Sequence, residues 1–152
     1  MGGDFAPSSH HRNRISAGLY RNETDACHVM GILNITPDSF HEESRKTTVD
    51  SAVKAGLNMW EMGATWVDIG GESTRPNADP VSIEEELNRV IPVILALRNA
   101  HSDGRISIDT RRPEVARAAL DAGADIINDV SGLRDPEMVN LILESGCGVC
   151  IM

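Results

Sequence analysis

Four short apolar runs in this chain each end in amide, hydroxyl or carboxylate groups: Asn34-Ile35-Thr36-Pro37-Asp38, Asp68-Ile69-Gly70-Gly71-Glu72-Ser73-Thr74-Arg75, Asp109-Thr110, and Asn128-Asp129. Burying such groups without partners costs on the order of 1–3 kcal/mol each, so their recurrence at equivalent places points to a polar ligand. Asn34 offers an amide oxygen to a hard cation such as Mg²⁺, a workable site once a diphosphate and waters supply the other ligands. Gly70-Gly71 lets backbone N–H groups approach an anion, and Ser73, Thr74 and Arg75 add hydroxyls and a guanidinium to the same loop. Asp109 and Asn128 suit a heterocycle whose edge presents ring N–H and exocyclic NH2 donors beside an acceptor, as a pterin does. Asp and Asn also start loops and cap helices, and Asp68 and Asp129 are read as structural or as supporting the groups that contact a ligand. Asp109 is not, because Arg112 and Pro113 already mark the start of the helix after it.

Those groups must be positioned by a repeating unit: a short apolar strand, a polar loop, a helix, and a Gly that stops the helix before the next strand. Strands are expected at 29–35, 65–69, 105–109, 125–130 and 148–152, with four helices between them. The first helix places Val49, Ala52, Val53, Gly56, Leu57 and Trp60 on one face, starts at a Thr47-x-x-Asp50 capping box and ends at Gly63. Met59, Trp60 and Met62, at helical spacing, read as core. A second box, Ser82-x-x-Glu85, opens a helix that buries Ile83, Leu87, Val90, Ile91 and Ile94, is kinked at Pro92, and uses Glu84, Glu85 and Glu86 to complement its dipole. Pro113 and Pro136 fit first helical positions, and Gly123 and Gly146 fit helix stops. Strands joined by such helices are parallel, which leaves an open doubly wound sheet or a (β/α)8 barrel. No G-x-G-x-x-G or P-loop follows the first strand, so the barrel is favoured; it needs about 250 residues, more than the 152 here. The polar strand ends then share one mouth, where barrel enzymes place their chemistry.

Bulk composition narrows the classes further. With 41% hydrophobic residues, mostly Ile, Val, Leu and Ala, the chain fits layered strands and helices. A net charge of -9 without a Lys/Arg cluster opposes nucleic-acid binding. No run is long and apolar enough to span a bilayer or serve as a signal peptide, so a cytoplasmic protein without membrane association is expected. The three cysteines, Cys27, Cys147 and Cys150, are too few and odd in number for a disulfide framework. Cys147-x-x-Cys150 lies in an expected strand rather than at a helix start and is read as structural. Residues 1–26 lack periodicity and are expected to form a flexible tail, whose His10-His11 pair lacks a third metal ligand; 27–152 form the folded unit.

At these residues the chain resembles the dihydropteroate synthases. Met30-Gly31-Ile32-Leu33-Asn34-Ile35-Thr36-Pro37-Asp38-Ser39-Phe40 looks like the family's first signature, and the run from Asp68 to Pro76 looks like its second. Ser107-Ile108-Asp109-Thr110, leading into Pro113-Glu114-Val115, and Ile126-Ile127-Asn128-Asp129-Val130 extend the match from about His28 to the end. The resemblance implies the first five strands and four helices of a pterin-binding (β/α)8 barrel, homodimeric in the full-length protein. It implies condensation of 6-hydroxymethyl-7,8-dihydropterin diphosphate with 4-aminobenzoate in folate biosynthesis. Asn34 is then the Mg²⁺ ligand, Thr74, Asp109 and Asn128 contact the pterin, with Asp109 and Asn128 the catalytic pair, and Arg75 sits on the second loop. Asp38, Ser39, Phe40, Ser73 and Pro76 border the 4-aminobenzoate pocket, where sulfonamides act in the family.

Three departures accompany the match. His41-Glu42-Glu43-Ser44 replaces the usual Ser-Asp-Gly-Gly, Asn77 replaces a Gly, and the family's later pterin-binding Asp, Lys loop and Arg-x-His segment are not in these 152 residues. The isolated chain is therefore expected to be inactive and, with strand edges and apolar faces exposed, poorly behaved. The competing readings are a pterin-binding corrinoid-dependent methyltransferase and a non-catalytic half-barrel that associates with another chain.

Overall fold

The computed structural model describes residues 27–35, 45–72 and 81–152; the tail at 1–26, the first-loop residues 36–44 and the second-loop residues 73–80 lie outside the described residues. Five strands and four helices alternate: β1 (Met30–Asn34), α1 (Arg45–Glu61), β2 (Trp66–Gly70), α2 (Ile83–Ala100), β3 (Ile106–Asp109), α3 (Pro113–Ala122), β4 (Ile126–Asp129), α4 (Pro136–Ser145) and β5 (Gly148–Ile151). All neighbouring strands are parallel, and their order in the sheet is their order in the chain. That order distinguishes the two expected architectures. A doubly wound sheet reverses direction at a switch point, whereas a barrel never does.

The register sorts side chains into two faces, because partners in a parallel ladder point the same way and alternate residues point opposite ways. Leu33, Ile69, Ile108, Ile127 and Val149 form one row, and the first four, with Val67 and Ile106, belong to the buried core beneath the helices. Each helix packs against the next in sequence, as one layer requires. The other face carries Ile32, Asp68, Ser107, Ile126 and Gly148, and, one pleat nearer the carboxyl ends, Asn34, Gly70, Asp109, Asn128 and Cys150.

Local signals account for most boundaries. Ser82 caps α2 by accepting from the Glu85 N–H at 3.1 Å. Pro113 and Pro136 open α3 and α4, and Gly123 and Gly146 end them with positive φ of 113° and 62°, the left-handed turn that a Cβ disfavours. Helix α2 runs through Pro92 as one helix. Three expectations are corrected. Helix α1 starts at Arg45, so Thr47 lies inside its first turn and does not cap it; Arg45 and Lys46 are better helix formers and extend it upstream. Met62 is 80% exposed, because α1 stops at Glu61 and the turn points it outward, where its sulfur accepts from the Asn58 amide at 3.4 Å. Ile83 is 40% exposed at the tip of α2, while Glu86 and Arg89 are buried.

Candidate active site

The strand ends bring Asn34, Asp109 and Asn128 into one row on the face away from the helices. Gly70 occupies the place between Asn34 and Asp109. A Cβ there would stand 3.3 Å from Asn34 Oδ1 and 3.5 Å from Asp109 Oδ2, so both oxygens lean over the bare glycine. A side chain at this position would crowd the Asn34 oxygen. Asp38, Ser39, Phe40, Ser73, Thr74, Arg75 and Pro76 lie outside the described residues.

Asp109 is partly buried, and its carboxyl is pushed up to about 6, first by burial and then by the charges of Asp68, Glu86, Asp129 and Glu72. Four carboxylates raise one acid here, a pattern that clusters at functional sites. Asp129 takes the structural role expected of it, accepting from the Ser131 N–H at 2.7 Å and the Leu133 N–H at 3.1 Å. Asp68 takes the supporting place and not that of a cap. It lies within β2, 4% exposed, and Asn128 Nδ2 donates to its Oδ2 at 3.0 Å. Asp68 and Asn128 stand on strands separated by β3, about 10 Å apart at the backbone. A 3.0 Å bond between their side chains therefore means that this face is concave. Burial raises the Asp68 pKa, an effect that Ser107 and Asn128 offset only in part. Asn128 Oδ1 is buried with no hydrogen-bond partner.

Behind the row lies a charged network that the residue pattern did not announce. Glu86, in the first turn of α2 as expected, is buried and accepts from the Thr110 hydroxyl at 2.7 Å and from Arg112 Nη1 at 2.9 Å. Arg112 Nη2 also reaches Glu72 Oε1 at 3.2 Å, Arg111 Nε meets Glu72 Oε2 at 3.3 Å, and the Val81 N–H donates to Glu72 Oε1 at 3.3 Å. Buried Arg89 donates to the Gly71 carbonyl at 2.7 Å and pairs with Glu85. Only the spacing of Glu86 and Arg89 on the inward side of α2 hinted at this. Both cysteines after α4 are free thiols, Cys147 buried with its pKa raised by burial and Cys150 exposed in the Asn128 row.

Parallel βα units in sequential order, with amide and carboxylate groups gathered at the carboxyl ends, define the mouth side of a (β/α)8 barrel. The chain belongs to the pterin-binding enzyme family, whose profile, described as "Pterin binding enzyme", matches residues 30–152. It is 49% identical over 125 residues to the dihydropteroate synthase of Escherichia coli K12, covering 82% of this chain and 44% of that one. Over 128 residues it is 52% identical to a probable bifunctional folylpolyglutamate synthase/dihydropteroate synthase of Haloferax volcanii, covering 84% of this chain and 15% of that protein. The dihydropteroate synthase of Xanthomonas albilineans, solved with 4-aminobenzoic acid, superposes with a TM-score of 0.74 at 51% identity, over 82% of this chain and 46% of that one. The same enzyme solved with 7,8-dihydropteroate gives 0.69 at 47% identity, over 82% and 45% of the two chains. This chain thus spans less than half the length of the relatives it matches, and its five strands are the first part of their barrel.

Proposed function

We propose that the protein containing this chain is a dihydropteroate synthase, joining 6-hydroxymethyl-7,8-dihydropterin diphosphate to 4-aminobenzoate with release of diphosphate. The observation that carries this reading is the acceptor row: Asp109 and the unpartnered Asn128 Oδ1 face one concave surface, beside Asn34. Asp109 and Asn128 accept from the ring N–H and exocyclic amino donors of the pterin. A carboxylate against the ring N–H also raises electron density in the heterocycle and stabilises positive charge developing at the exocyclic methylene. There the C–O bond to diphosphate breaks, the C–N bond to the arylamine forms, and the amine proton passes to solvent. On this reading Thr74 and Arg75 serve the pterin substrate, and Asp38, Ser39, Phe40, Ser73 and Pro76 serve the arylamine, with which sulfonamides compete.

Among the described residues no cluster of three carboxylate, His or Cys ligands could hold a metal by itself. The single Asn34 amide oxygen leaning over Gly70 fits a Mg²⁺ that arrives with the diphosphate and waters completing its shell. When bound, the ion supplies charge neutralisation to the leaving group. A homodimer and a cytoplasmic setting are part of the same proposal; among the described residues no helix is long and apolar enough to cross a membrane. The synthase names of the relatives support this reading over the corrinoid-dependent methyltransferase. The test is diphosphate release by the full-length protein. It should require both substrates and Mg²⁺, and release that is indifferent to 4-aminobenzoate removes the assignment.

A further inference from the structure

The inner layers of a (β/α)8 barrel are ordinarily filled by branched apolar side chains, yet here the pleat beneath the acceptor row holds Asp68 and Ser107, 4% and 0% exposed. A carboxylate so placed needs a reason, because desolvating it is costly. The reason is visible in its partner across the sheet, the Asn128 amide. Asp68 Oδ2 accepts from Asn128 Nδ2 at 3.0 Å, so the NH2 end of that amide faces the carboxyl. The amide oxygen is thereby turned the other way, and it is buried without a partner in the row that contains Asp109.

We propose that Asp68 is a positioning residue that locks the Asn128 amide with its oxygen outward, making the site an acceptor-only surface selective for a heterocycle with a donor edge. This rests on the pterin reading above and deepens it, since it names what the site rejects: a ligand that presents acceptors where the pterin presents N–H and NH2. Without Asp68 the amide has no fixed sense and presents either end. A site that hydrogen-bonds a donor discriminates strongly against its absence, because the buried acceptor is then left unpaired.

The experiment uses the full-length protein with selectively 15N-labelled asparagine, and two probes in calorimetry: 6-hydroxymethylpterin and its analogue lacking the 2-amino group. In the wild type, one Asn128 side-chain amide proton should be shifted downfield before any ligand is added. Asp68→Asn should abolish that shift and weaken the amino-bearing pterin by about tenfold or more, while the desamino analogue changes by no more than about threefold. The exchanged pair D68N/N128D restores one donor facing one carboxylate, with an acceptor still outward, and should recover most of the selectivity. It also tests the idea if the single variant folds poorly. Equal weakening of both probes, an unshifted wild-type resonance, or no recovery in the exchanged pair overturns the proposal. A wild-type protein that shows the shifted resonance but binds neither probe refutes the pterin reading and leaves the amide lock standing.

Discussion

Asp109, a proposed pterin contact, carries a cost in stability. Its carboxyl is held at about 6 against an ordinary 3.8, chiefly by burial and then by neighbouring carboxylates. Between those two values the folded chain holds the proton more firmly than the unfolded chain does. Stability therefore falls as pH rises through this window, and the cost is complete above about 6. Asp109→Asn removes that cost. It should stabilise the full-length protein by roughly 1–2 kcal/mol at neutral pH, with the gain vanishing below about pH 4, as read from urea midpoints across pH. The same variant turns an acceptor into a mixed group and should lose pterin binding. A uniform stability change at all pH values would contradict the electrostatic account. The polar ends of the strands make Asp109 a candidate from sequence, whereas Asp68, one pleat deeper, stays between a structural and a supporting role because nothing local shows which face of the sheet it occupies.

Two ion-pair assemblies work at opposite ends of the elements. At the carboxyl ends, Glu86 on α2 holds Thr110 and Arg112 after β3, and Arg112 reaches Glu72 after β2. The segments that follow β2 and β3 are thus tied to one helix. At the amino ends, Arg98 donates to the carbonyls of Ser102, Gly104 and Gly123 and pairs with Asp125 at 2.8 Å; Asp125 also accepts from the Ile106 N–H. That brace fixes how α2 meets β3 and β4 and touches none of the site residues. Glu86→Ala removes the acceptor of the Thr110 hydroxyl and one of the two carboxylates that pair the mostly buried Arg112 guanidinium, and should cost about 3 kcal/mol in thermal or urea unfolding of the full-length protein. Glu86→Gln keeps the acceptor for Thr110 and should cost less, about 1–2 kcal/mol. If the two variants cost the same, the hydrogen bonds contribute little and the charge alone matters.

For the molecule as a whole, the decisive property is a sheet covered by helices on one face and lined by ligand-type groups on the other. On the second face Ile32 stays 66% exposed, and at the outer strand Ile151 and Met152 stay 54% and 78% exposed. Strands β1 and β5 each have one neighbour, so each presents an unpaired edge among the described residues. The 152-residue chain produced alone should therefore self-associate and bind a hydrophobic dye. Sedimentation as a monodisperse monomer that unfolds in one cooperative step would refute this. The sequential strand order, foreseen when the barrel was chosen over the doubly wound sheet, is what gives all the strand ends one shared mouth.

By itself the sequence determined the alternation of elements, the caps at Ser82, Pro113, Gly123, Pro136 and Gly146, and the acceptor groups at the strand ends. These rest on local rules, namely period, capping and φ, that act over a few residues. Only the tertiary structure decided that Asn34 and Asp109 converge on Gly70, that Asp68 orients Asn128 across an intervening strand, and that Glu86 is buried against Thr110 and Arg112. Those pairs lie 24 to 75 positions apart, and strand register together with the curvature of the sheet, which no local pattern encodes, sets whether they come together.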